Sequence, residues 1–165
     1  MPKNKSWVWV VLIVLVVGGL FAWQRLSDPN RAAVAAWNDA GVACLDESQR
    51  LQTHIHPVLT ITVDGAREPL PSNAGVVRSC TAELHTHETD GTIHLESTIS
   101  SRTFTLGQFL AVYGKPFERA GYQASMTVDG VSSEEGATLI LKDKQQIVVT
   151  YTAAATTPIE TTNGE

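Results

Sequence analysis

All five histidines of this chain fall between positions 54 and 94, as two H-x-H pairs, His54/His56 and His85/His87, and an H-x-E pair, His94/Glu96. In a β-strand alternate residues share a face, so each pair can aim both side chains at one point. Residues spaced by two that must act together require extended backbone, and this demand constrains the fold more than any other feature.

The second and third pairs flank a hairpin signal. Leu84-His85-Thr86-His87 is followed by Asp90-Gly91 and then by Ile93-His94-Leu95-Glu96. Asp-Gly suits a two-residue type I′ turn, which needs positive φ at both positions. With that turn His87 faces His94, His85 faces Glu96 and Thr86 faces Leu95. Three histidines and a carboxylate then share one face, with directly opposed Cβ atoms about 4.5–5.5 Å apart. Leu84, Thr86, Ile93 and Leu95 take the other face, which is expected to be core. A slip of one residue would destroy this separation.

His54–Val63 is expected to be the first strand of the domain. Ile55, Leu59, Ile61 and Val63 alternate with His56, Val58, Thr60 and Thr62. The string Thr-Val-Asp-Gly closes it at 62–65 and recurs at 127–130 after an alternating strand Tyr122–Val128. Thr138–Leu141 and Gln146–Tyr151 are further expected strands. Phe104–Tyr113 reads as a helix, with Thr105 and Gln108 in capping-box spacing, Gly114 and Pro116 beyond its end, and Leu106, Phe109, Leu110 and Tyr113 on one apolar face.

The N-terminal run Trp7–Trp23 carries no charge and follows Lys3 and Lys5. It reads as a transmembrane signal anchor with aromatic residues at both ends and the lysines in the cytoplasm. A cleaved signal peptide is the alternative, and both readings export the remainder of the chain. Asp28-Pro29 marks the start of a short juxtamembrane helix to Ala40. The expected organisation is a cytoplasmic stretch 1–6, an anchor 7–23, a linker 24–43, an exported domain 44–151 and a disordered tail 152–165. The expected localisation is the cell membrane, single-pass, with the C-terminal domain extracytoplasmic. The expected class is α+β: a transmembrane helix followed by a small, mostly antiparallel β domain with one packed helix, in a β-grasp-like arrangement.

The 165 residues include 17 acidic and 12 basic side chains, for a formal charge of −5. Nucleic-acid partners call for basic patches, and this chain has no basic cluster or aromatic platform. Cys44 and Cys80 are the two cysteines. In an oxidising compartment they are expected to form a disulfide, with soft ligation of copper(I) or a redox pair as the alternative.

The segments HIHPVLTITVDG, LHTHETDGTIHLES and FTLGQFLAVYG, with a cysteine between the first two, resemble a group of membrane-anchored or exported prokaryotic proteins. Its pattern is H-x-H…C…L-H-T-H-D-x-x-G-x-I-H-x-E…T-L-G-x-F, and Glu88 here replaces the aspartate. The resemblance covers most of Cys44–Tyr151 and implies no particular activity. It implies that His54, His56, Cys80, His85, His87, His94 and Glu96 belong to one pattern.

The expected function is metal binding, with copper or zinc held by His85, His87 and His94, and with Glu96, His54 and His56 as further ligands or orienting groups. Acquisition, buffering or delivery of the ion would be the role; the protein client is open. An enzyme with an open coordination position, and Glu96 or Glu88 as base, is the main alternative. Others are a pH-sensing histidine cluster and a metal-free interaction module whose histidines only hydrogen-bond within the sheet. No P-loop, G-x-G-x-x-G or Ser-His-Asp arrangement is visible.

Overall fold

The computed structural model describes residues 6–26, 28–46 and 48–154. Lys3 and Lys5, and residues 155–165 of the tail expected at 152–165, lie outside the described residues; Thr152 and Ala153 instead continue the last strand, opposite Gln123 and Tyr122. The described residues form an α+β structure, with three α-helices and mixed sheets among them.

Helix α1, Ser6–Leu26, exposes its described apolar side chains. Among the described residues no helix is long and apolar enough to cross a membrane. The uncharged run Trp7–Trp23 gives about 25 Å at about 1.5 Å per residue, against about 30 Å of hydrocarbon, and Gln24 and Arg25 come directly after it. This overturns the expected transmembrane anchor at 7–23, the membrane as its partner and the single-pass localisation. Helix α2, Pro29–Asp39, is N-capped by Asp28, whose side chain accepts from the Asn30 amide, and it buries Trp37.

The expected strand His54–Val63 is two strands, β1 Thr53–Ile55 and β2 Val58–Val63. Pro57 interrupts them; it has no N–H to give a ladder, and its carbonyl accepts from the Ile93 amide at 2.9 Å. The break sends β1 and β2 into different sheets. β2 pairs antiparallel with β3, Ala66–Glu68, and parallel with β10, Gln146–Ala153. Two short strands, β4 Val76–Val77 and β5 Cys80–Thr81, pair with each other. β6, Leu84–His85, and β7, His94–Ser97, belong with β1 in a three-stranded sheet ordered β1-β7-β6.

Helix α3, Leu106–Tyr113, has the expected capping box between Thr105 and Gln108 and a left-handed cap at Gly114. β8, Tyr122–Val128, joins β10 to β9, Val131–Ser133, giving the second sheet the order β3-β2-β10-β8-β9. The expected strand at Thr138–Leu141 is absent: Gly136–Thr138 is a 3₁₀ turn, and only Ile140 makes a bridge, to Thr105. The β2–β10 pair is parallel and makes this sheet mixed, while the other strand pairings among the described residues are antiparallel and α3 is the helix packed within the domain, in keeping with the mostly antiparallel expectation.

Leu59, Ile61, Ile147, Val149 and Tyr151 of the large sheet share one core with Leu84 and Leu95 of the small sheet. Phe104, Leu106, Phe109 and Leu110 around α3, and Trp37 of α2, belong to it as well. Cys44 and Cys80 form a disulfide, with Cα atoms 5.3 Å apart. By loop-closure entropy such a link contributes about 3–4 kcal/mol.

Candidate metal centre

Strand β7 is the middle of the small sheet. Its burial alternates, with Leu95 and Ser97 buried and His94 and Glu96 half-buried on the other face. β6 places His85 opposite His94, and β1 places His54 opposite Glu96. The expected register set His87 against His94, so the observed pairing differs by two residues. A two-residue slip preserves which side chains share a face, and the separation of histidines from core survives it.

The turn that would have fixed the expected register does not form. Asp90 caps its own loop, accepting from the Thr92 amide at 2.8 Å and the Thr92 hydroxyl at 3.0 Å. Gly91, at φ +106°, lies against β2, where its carbonyl accepts from the Leu59 amide at 2.9 Å. A Cβ at Gly91 would sit 2.4 Å from the Leu59 carbonyl oxygen. On the other arm Thr86 is taken out of the ladder: its hydroxyl donates to Pro71 O at 2.7 Å, and its amide to Ala74 O at 3.0 Å. Contacts with distant segments outweigh the local preference of Asp-Gly.

His85 is 1% exposed. Its Nδ1 lies 2.9 Å from Ala82 O, and because a carbonyl only accepts, Nδ1 carries the proton. The lone pair is therefore on Nε2, which is 3.1 Å from His87 Nε2. Zn–N bonds of about 2.0–2.1 Å in a tetrahedral site put ligand nitrogens about 3.3 Å apart, close to this separation. His87 stands over His94 with ring centroids 4.5 Å apart.

The segment that supplies Ala82 is held firmly. Ala82 bridges to Cys44, and the buried Glu83 carboxylate accepts from Ser97 Oγ at 2.8 Å, the Ala43 amide at 3.1 Å and Arg102 at 2.9 Å. Disulfide and carboxylate thus fix the backbone that orients His85.

His56 lies just past the end of β1. Asp143 Oδ1 accepts from its amide at 3.0 Å, and its carbonyl accepts from the Lys144 amide at 3.2 Å. Its ring is 4.7 Å from that of His94 and 4.5 Å from that of His54. His54 Nε2 is 3.1 Å from Glu96 Oε1. Glu96 therefore partners His54, where the expected hairpin had given it His85. Sequence reading missed Asp143, Lys144 and Ala82, whose contributions run through backbone groups or come from a distant loop; a turn rich in polar residues at 142–145 was the signal for the first two, and Ala82 had none. Glu88 is exposed.

Among the described residues two triads could hold a metal ion: His54, His56 and His94, and His85, His87 and His94. Within each, one ligand atom per residue lies within 4.8 Å of the others. Nδ1 of His94 is buried with no hydrogen-bond partner among the described residues. Burial, followed by the positive potential of His87, His85 and His56, pushes the His94 pKa down to about 4, against the opposing pull of Glu96. Burial also lowers that of His85, opposed by its bond to Ala82. Both rings are thus neutral near pH 7, the form that ligates. No family model, curated protein or solved structure matches the chain.

Proposed function

We propose that this is an extracytoplasmic metal-binding protein that holds zinc or copper(II) through His85, His87 and His94, with His54, His56 and Glu96 assisting, and that it acquires, buffers or delivers the ion. The observation that carries this reading is the buried Nδ1 of His94, left without a partner beside four other imidazoles. A buried polar nitrogen costs about 1–3 kcal/mol when unpaired, and a face of five histidines that served only the sheet would be expected to satisfy it. Imidazole-rich sets suit zinc and copper(II). The disulfide agrees with an oxidising compartment. Glu96 is engaged with His54, which favours an orienting role for it over that of a base acting on water.

Elemental analysis of the full chain, purified without a histidine tag or chelator and then titrated with zinc or copper(II), tests the proposal. Near-stoichiometric metal, lost in His87→Ala and kept in the surface variant Glu134→Ala, is the expected result. No metal, and no uptake on titration, would reject it.

A further inference from the structure

Resting on that metal reading, we infer that the two triads are successive positions for one ion: an outer one at His54 and His56 that receives it, and an inner one at His85 and His87 that keeps it, with His94 bound to it in both.

His94 belongs to both triads. A neutral imidazole has a single lone pair, its other nitrogen carrying the proton, so His94 completes one position at a time. The triads also differ in what surrounds them. His54 is exposed, with 47% of its side chain open to solvent, and His56 lies beyond the end of a three-residue strand. The carboxylates touch this outer pair, Glu96 through the His54 ring and Asp143 through the His56 amide. A hydrated cation is drawn first to the exposed end that holds the negative charge.

The inner position is stiffer. His85 is buried, its tautomer is set by Ala82 O, and its Nε2 already stands 3.1 Å from His87 Nε2. The pinning of Thr86 holds the backbone between these two residues. Nitrogen ligands fixed at the spacing a zinc ion needs bind more tightly than flexible ones, because less ordering remains to be done on binding. Movement inward exchanges the bonds from His54 and His56 for bonds from His87 and His85 while His94 stays attached. The ion keeps its charge, and the proton that His87 Nε2 donates to His85 Nε2 in the metal-free protein passes to His87 Nδ1 or to solvent as the ion takes its place.

His87 is itself exposed, which offers a direct route to the inner position. Stopped-flow measurement of zinc transfer between a chromogenic chelator and the full chain separates the routes. The unaltered protein should bind one zinc. In His54→Ala/His56→Ala, capture and release should both slow about tenfold while Kd stays within about threefold, since an outer station serves both directions. In His85→Ala, capture should persist while Kd weakens roughly 100-fold. His56→Asn, which keeps a polar side chain of moderate size, should slow both rates in the same sense if the double variant fails to fold. Unchanged rates in the outer variants would establish direct loading through His87 and overturn the inference. Two zinc ions bound with similar affinity would overturn it in favour of a bridged pair. No zinc bound by the unaltered protein would instead reject the metal reading on which the inference stands.

Discussion

Glu68 and His94 each sit at the centre of a cluster of titratable side chains, and their neighbours treat them differently. The Glu68 carboxylate accepts from Tyr113 Oη at 2.9 Å, from both terminal nitrogens of Arg119 at 2.9 and 3.0 Å, and lies 3.1 Å from Lys115 Nζ. Arg119 also covers the Tyr151 ring, 4.0 Å from its centroid, which gives the guanidinium a second favourable face although its Nε has no partner among the described residues. Around His94 the neighbours are other imidazoles, and its Nδ1 is left alone. Both clusters tie distant segments together, but only in the first is the central group bonded on every side within the protein itself. A carboxylate met by cations holds the fold; a buried imidazole nitrogen left unbonded is suited to something that arrives from outside.

The largest effect should come from His94→Ala, because His94 is common to both triads. Zinc or copper(II) affinity is expected to fall on the order of 1,000-fold, about 4 kcal/mol by titration, since a lost ligand costs more than a lost orienting partner. Metal-free stability should change by less than about 1 kcal/mol in a denaturant melt, because the variant removes a buried group that had no partner. A large loss of stability without any change in metal affinity would reverse the contrast between the clusters.

Glu68→Gln is the converse. It keeps the shape and the bond from Tyr113 but leaves Arg119, whose side chain is 14% exposed, without its counter-charge. A loss of about 2–3 kcal/mol is expected by denaturant unfolding, with metal affinity untouched.

The same carboxylate predicts a pH dependence. The bonds from Arg119, helped by Lys115 and Tyr113 and opposed by burial, lower the Glu68 pKa from 4.5 to about 2. A depressed folded-state pKa contributes stability that is complete above the unfolded value and is lost as pH falls through the folded one. Of the stability measured near pH 6, about 2 kcal/mol should therefore disappear between pH 4.5 and 2, and Glu68→Gln should abolish that part of the slope. An unchanged acid profile in the variant would mean that the paired carboxylate does not anchor the fold.

The faces of both clusters were more legible in the sequence than their partners. Alternation alone placed His85, His87 and His94 on one side, and it survived a register error because the error was of two residues. The register was hidden by three identical dipeptides with different fates. Asp64-Gly65 and Asp129-Gly130 both take positive φ, at 48° and 81° and at 51° and 80°, and join β2 to β3 and β8 to β9 as two-residue turns. At Asp90-Gly91 only the glycine does so, because the loop docks on Leu59 and Pro57. The caps of helix α3 were legible, since they lie within the helix's own neighbourhood, although the helix begins at Leu106 and not at Phe104 and buries Val112 where Tyr113 was expected. Glu96 could not be assigned to His54, nor His56 to Asp143, because those pairings depend on where Pro57 divides the strand and on a loop 87 residues away.

The smallest expected effect belongs to Glu96→Gln, and it bears on which side of the comparison Glu96 falls. Its partner His54 is half exposed, so the pair should contribute less than about 0.5 kcal/mol to folding. If the carboxylate only orients His54, the amide keeps most of that contact, and zinc capture should slow about threefold with little change in Kd. A Kd weakened more than about tenfold would instead make Glu96 a direct ligand, since an amide oxygen binds zinc far less well than a carboxylate. The outer position would then hold the ion by charge as well as by nitrogen. It would resemble the Glu68 cluster in its reliance on a carboxylate, with the difference that the cation completing it is supplied by solution and not by Arg119.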